Sequence, residues 1–181
     1  MNQCSRTPGL AIVGFGGMGS QHAKTLAGVP GVFHIAGTYD IRGERQQYAA
    51  QLGLHPFASY EELLDCPDVD VVLIATPNHL HRPLSIQALR AGRHVICEKP
   101  AMLNAAELEE VLNVAEACGR VFVVHQNRRW DEDFRAVKRV LEENRIGKIF
   151  TIESRIMGSQ GIPGDWRTKR EFGGGMLLDW G

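Results

Sequence analysis

Short apolar runs alternate with longer amphipathic ones along most of the chain. "LAIVGF" (10–15), "VFHIAGTYD" (32–40), "VDVVLIATP" (69–77), "HVICE" (94–98) and "RVFVVHQ" (120–126) are rich in β-branched and aromatic residues and read as buried strands. Between and after them, "MGSQHAKTLAG", "GERQQYAAQLG", "YEELLD", "LHRPLSIQALRAG", "NAAELEEVLNVAEACG" and "DEDFRAVKRVLEENRIG" read as helices. The second of these places Tyr48, Ala49 and Leu52 on one face and stops at Gly53, while Pro83 fits the first turn of the fourth. In the fifth, Asn104 and Glu107 have the spacing of a capping box, and Leu108, Val111, Leu112 and Ala115 make one apolar stripe. Strands of this kind alternating with helices predict an α/β fold, a doubly wound parallel sheet covered on both faces. Such a sheet binds ligands at the carboxyl ends of its strands.

The period changes after Gly147. In "KIFTIESRIM" (148–157), Phe150, Ile152 and Ile156 alternate with Thr151, Glu153 and Arg155, the pattern of a half-solvated strand in an open, mostly antiparallel sheet. The pattern divides the chain into a first domain, 1–127, and the beginning of a second, 128–181.

Composition narrows the function classes. The 181 residues are 44% hydrophobic and 23% charged, with a formal net charge of −1, which argues against a nucleic-acid or anionic-membrane surface. No apolar run is long enough to cross a bilayer, and "MNQCSRTPGL" lacks the apolar segment of a secretory signal. Four scattered cysteines read as reduced thiols in a cytoplasmic protein. His79, His81, His94 and His125 match no metal-ligand spacing and have no cysteine pair beside them, so the sequence points to no metal. The chain ends on "GGGMLLDWG" without a polar tail and reads as a partial sequence.

The chemistry gathers at strand ends. "GFGGMG" (14–19) follows the first strand and opens the first helix, matching G-x-G-x-x-G through Gly14, Gly16 and Gly19. The first glycine serves the tight turn, the second the close approach of a pyrophosphate, and the third helix–strand packing. Phe15, Gly17 and Met18 complete this cofactor-binding loop. Asp40 ends the second strand 21 residues beyond Gly19, where a carboxylate accepts from the adenosine ribose and favours NAD. Arg42 keeps NADP open, because a guanidinium accommodates the 2′-phosphate. "ATPNHLH" (75–81) ends the most apolar strand, with Thr76, Pro77, Asn78 and His81 offered to the cofactor or, alternatively, to helix entry. "EKP" (98–100) ends the next strand on the same edge. Lys99 then points into the crevice, where an ammonium can bind a substrate hydroxyl and stabilise a developing alkoxide, and Glu98 can hold that lysine or the cofactor's carboxamide end. A surface ion pair is the plainer alternative.

"GFGGMG", "ATPNHLH", "EKP" and "GGGMLLDWG", in this order, resemble the Gfo/Idh/MocA oxidoreductases, and "HQNRRW" (125–130) with "GIPGDWR" (161–167) is similar to members acting on inositols, sugars or glycosides. The resemblance implies a Rossmann domain followed by an α/β domain, and NAD(P)-dependent hydride transfer to or from a secondary alcohol of a sugar or cyclitol. It implies catalytic roles for Lys99 and Asp179, and cofactor contacts from Gln126, Trp166 and Arg167. The family's usual proton acceptor, a histidine one helical turn past that aspartate, falls beyond the last residue. Homo-oligomerisation through the second domain's sheet is also implied. Redox-assisted glycoside elimination on tightly held NAD, or a dinucleotide-binding module without turnover, are the alternatives.

Overall fold

The computed structural model describes residues 6–155 and 164–180. Five parallel strands, β1 (Gly9–Val13), β2 (His34–Tyr39), β3 (Val71–Ile74), β4 (His94–Glu98) and β5 (Phe122–His125), form one sheet in the order β2-β1-β3-β4-β5. The register sets Leu10 beside Val71, Val71 beside His94 and Val95 beside Phe122. Seven α-helices are described: α1 (Gly17–Ala27), α2 (Gly43–Gln51), α3 (Tyr60–Asp65), α4 (His81–Arg90), α5 (Ala105–Ala117), α6 (Glu132–Glu142) and α7 (Met176–Trp180).

Alternation along the strands builds two cores. Leu10, Ile12, Val71 and Leu73 pack with Ala23 of α1 and Ala49 of α2 on one face. Ala11, Val13, Val72, Ile74, Val95 and Cys97 pack on the other with residues of α3, α4 and α5. Strands buried on both faces need near-continuous apolar sequence, as the runs here show. The chain leaves β1 for β2 on one side and later returns to place β3 on the other. A crevice at the carboxyl ends of β1 and β3 follows from that reversal.

Capping fixes two helix starts in the same way. Asn104 Oδ1 accepts from Glu107 N at 3.0 Å, and Glu107 Oε2 accepts from Leu103 N at 3.2 Å. Ser59 Oγ accepts from Glu62 N at 3.1 Å, and Glu62 Oε2 accepts from Ala58 N at 2.6 Å. Each glutamate thus reaches one residue further back than in the usual capping box, satisfying the donor before the cap.

Three expectations need correction. Leu52 and Leu112 are exposed, not core: each helix buries a narrower stripe than its pattern offers, Ala49 in α2 and Val111 with Ala115 in α5. Residues 148–155 form no strand, and Phe150 and Ile152 stand 96% and 80% exposed. A strand needs a hydrogen-bonded neighbour, and among the described residues this segment pairs with none. Ile156 and Met157 lie outside the described residues, so the antiparallel sheet is not part of the observed fold. No buried residue lies on α6, which exposes Phe134 and Val137.

The contrast between buried and exposed apolar positions is measurable. Ile74→Ala should cost about 2–5 kcal/mol, whereas Leu112→Ala should stay within about 0.5 kcal/mol of the parent. Urea unfolding checks both, as a fall in midpoint at constant slope for the first and none for the second.

Candidate functional site

Backbone sterics shape the glycine loop. Gly14 has φ 87° and donates its N–H to Tyr39 O at 2.8 Å. A Cβ there would fall 2.7 Å from Ala75 O, and one at Gly19 would fall 2.0 Å from Gly14 O. The first and third glycines therefore permit contacts that no side chain could share. At Gly17 a Cβ would meet nothing within 4 Å, and no side chain caps the start of α1. The loop is an open cradle on an 11-residue helix whose first N–H groups and dipole favour an anion. These residues fit a dinucleotide pyrophosphate. Met18 lies exposed at the mouth, whereas the Phe15 side chain is fully buried against Tyr48 and contributes only its backbone to the loop.

Asp40 stands where the spacing puts it, with more to do than expected. Its Oδ2 accepts from Phe15 N at 2.8 Å, and its Oδ1 accepts from Arg42 N at 2.9 Å and Arg42 Nε at 3.3 Å. Asp40, its side chain only 5% exposed, braces the loop onto the end of β2. The Arg42 guanidinium reaches across toward Gly16, with Nη2 3.6 Å from where a Cβ on that glycine would stand.

Residues 75–81 and 98–100 meet over the ends of β3 and β4. Asn78 is buried and donates from Nδ2 to Gly173 O at 2.7 Å, so it links two segments rather than capping a helix. His79 stacks on Phe172 with ring centroids 4.9 Å apart. His81 is fully buried, with Nε2 3.0 Å from Thr76 O and Nδ1 2.8 Å from Pro100 O, and so ties the two loops together. Burial pushes His81 below the usual histidine range, against the upward pull of the two carbonyls and Glu98. Thr76 Oγ1 is buried with no hydrogen-bond partner among the described residues, and Pro77 precedes the 3-10 turn Asn78–Leu80.

The "EKP" segment divides its labour. Lys99 Nζ donates to Asp179 O at 2.7 Å and to Asp179 Oδ1 at 3.1 Å. Asp179 Oδ2 accepts from Arg167 Nε at 3.1 Å, while Arg167 Nη1 pairs with Asp165 Oδ2 at 2.7 Å. Lys99 and Asp179, 80 residues apart, thus meet directly. Glu98 points instead toward the α1 face, where its Oε1 lies 2.6 Å from His22 Nε2 and 3.1 Å from His125 Nδ1. Burial raises its carboxyl, but the two imidazoles outweigh burial and hold it down at about 2. Trp166 carries the Arg167 guanidinium over its ring at 4.6 Å, and Gln126 is exposed beyond β5.

Sequence reasoning missed His22, Asp165 and Phe172. Asp165 lies within the segment 161–167, and Phe172 immediately precedes Gly173. His22 gave no signal, because its partner is 76 residues away.

A parallel sheet in this order with an open glycine cradle at its carboxyl edge defines a dinucleotide-binding Rossmann fold. The model of the oxidoreductase family with an NAD-binding Rossmann fold matches residues 9–126, and that of the GFO/IDH/MocA C-terminal domain matches 134–181. The chain belongs to the Gfo/Idh/MocA family and carries its NAD-binding fold. It is 36% identical over 137 residues to 1,5-anhydro-D-fructose reductase of Ensifer adhaerens, covering 73% of this chain and 40% of that protein. It is 28% identical over 156 residues to inositol 2-dehydrogenase of Salmonella typhimurium, covering 84% and 46%. The crystal structure of an NAD-binding protein from Listeria innocua superposes with a TM-score of 0.93 at 49% identity, covering 97% of this chain and 52% of that one. The chain therefore spans about half the length of the relatives it matches or less.

The buried His81 predicts an acid sensitivity. A histidine depressed in the folded state binds fewer protons there than unfolded, so stability falls as pH drops below about 6.5, by at most about 1.4 kcal/mol per pH unit. Urea unfolding from about pH 7 to about pH 5 should show a steeper loss for the parent than for His81→Gln, which cannot titrate.

Proposed function

We propose that the chain forms the cofactor-binding part of an NAD-dependent dehydrogenase that moves hydride between the nicotinamide and a secondary alcohol of a sugar, glycoside or cyclitol. One observation carries this reading: the Lys99 ammonium, held 3.1 Å from Asp179 Oδ1, stands at the end of β4 on the sheet edge that bears the glycine cradle. Bound NAD supplies the hydride chemistry. Gly14, Gly16 and Gly19 shape the pyrophosphate cradle, Asp40 holds it in place, and Thr76 and Asn78 line the way to the nicotinamide end. Lys99 binds the substrate oxygen and stabilises its developing negative charge while the hydroxyl proton passes to the histidine that the family resemblance implies one helical turn past Asp179 and hydride leaves the carbinol carbon. Asp179, clamped from its other oxygen by Arg167, fixes the lysine's position. The names of the reductase and of the inositol dehydrogenase support a polyhydroxylated substrate.

Residues 128–181 are the start of the second domain in this reading, whose sheet builds the homo-oligomer. Among the described residues no helix is long and apolar enough to cross a membrane. Cys66, Cys97 and Cys118 are free thiols, with burial pushing Cys97 up to about 12, which suits a reducing cytoplasm.

Calorimetric titration with NAD and NADP tests the cofactor half. NAD should bind more tightly than NADP, and Arg42→Ala should weaken NADP more than NAD by roughly tenfold, the worth of a charge-assisted contact. No binding of either dinucleotide to the folded chain would sink the assignment. For turnover, Lys99→Met should lower the rate of polyol oxidation by about a hundredfold to a thousandfold while NAD affinity stays within a few fold. Undiminished oxidation by that variant removes Lys99 from the mechanism.

A further inference from the structure

The side chains of His22, Glu98 and His125 converge from three elements that the dinucleotide reading does not connect. His22 sits in the second turn of α1, Glu98 ends β4 and His125 ends β5. The donor atoms His22 Nε2, Glu98 Oε1 and His125 Nδ1 all lie within 4.8 Å of one another. Glu98 Oε1 is the hub, 2.6 Å from the first nitrogen and 3.1 Å from the second. His125 Nδ1 is buried but does not meet that oxygen in hydrogen-bonding geometry, so a buried nitrogen faces the cluster without a hydrogen bond among the described residues.

We propose that these three side chains bind a divalent transition-metal ion of the zinc type. Two imidazoles and a carboxylate are the donors such ions take, at about 2.0–2.2 Å, which in a tetrahedron sets ligand atoms roughly 3.4 Å apart. The separations from Glu98 Oε1, 2.6 and 3.1 Å, are both shorter than that spacing, so the ion needs the two rings, which stand edge to face at 4.7 Å between centroids, to rotate outward and open the centre. Exposure is graded in the way an entry route requires: 8% for the Glu98 side chain, 12% for His22 and 35% for His125. The ion therefore enters past His125 and keeps its fourth position toward that side, the arrangement of a site with three protein ligands and one water. Without metal, the contact between His22 Nε2 and Glu98 Oε1 satisfies the buried carboxylate. The hub oxygen is not the one that serves "EKP": Glu98 Oε2 accepts from Lys99 N at 3.2 Å. Metal on Oε1 thus leaves Lys99 where it is and pins β5, whose outward-facing Val123 is exposed, to α1.

The site is independent of the dinucleotide reading, and its test needs neither NAD nor turnover. The chain, stripped with a chelator and kept reduced, is titrated with zinc chloride against a chromophoric competitor. One ion per chain should bind, and zinc should raise the melting temperature. His22→Ala and His125→Asn should each weaken binding at least about a hundredfold, since even outer-shell changes cost ten- to a hundredfold, and should abolish the thermal shift. His125→Asn changes a partly exposed side chain and keeps the test open if His22→Ala does not fold. Replacing Cys66 and Cys118 by serine should leave the affinity unchanged. No zinc bound by the folded parent chain, or binding undiminished in folded His125→Asn, overturns the proposal. A parent chain that binds NAD but not zinc refutes the metal site alone.

Discussion

The closeness of α1 to the turn after β1 governs the rest of the molecule. A Cβ at residue 19, in the first turn of α1, would stand 2.0 Å from the carbonyl oxygen of Gly14, so the helix can begin this close to the turn only with glycine at that position. Because it starts there, its unsatisfied N–H groups open onto the sheet's carboxyl edge rather than onto a side-chain cap. The same turn brings Gly14 against Ala75 at the end of β3 and under Tyr39 at the end of β2. Three strand ends are thus locked around one loop, and Asp40, donating nothing and accepting three times, locks them from the side.

From that anchor the site extends along the sheet edge through paired loops. His81 packs between the carbonyls of Thr76 and Pro100 and in its neutral form donates to one of them, which holds the segments after β3 and β4 against each other. Asn78 and His79 then fasten these segments to Gly173 and Phe172, and Lys99 to Asp179. Residues 165–180 reach the Rossmann sheet by these polar and aromatic contacts, while Phe134 and Val137 of α6 and Ile149, Phe150 and Ile152 are exposed. The site is assembled through specific hydrogen bonds at its rim more than through a shared apolar core.

Two adjacent residues illustrate how a strand end sorts chemistry by face. Successive side chains leave a strand in opposite directions. Lys99 goes to the crevice and Asp179, while Glu98 goes to the α1 face and the two histidines. A motif that looks like one ion pair in sequence is two separate clusters in space, Lys99 joined to Asp179 and Glu98 enclosed with the two histidines.

Periodicity in the sequence determined the α/β class, the order of the five strands and their helices, the glycine loop and the acidic end of β2, because those depend on local sterics and on burial of both sheet faces. The capping of α5 was legible for the same reason, since four neighbouring residues build it. The alternation over residues 148–157 predicted a strand that the described part, 148–155, does not form, because a strand's hydrogen bonds belong to a partner and alternation records only the wish for one. Leu112 failed similarly: the helical period shows which residues share a face but not how much of that face a neighbour covers. Only the tertiary structure decided that Glu98 joins His22 and His125 and that Arg167 grips Asp179. Those pairings span 76, 27 and 12 residues, and convergence of side chains from separate elements leaves no spacing in the chain to read.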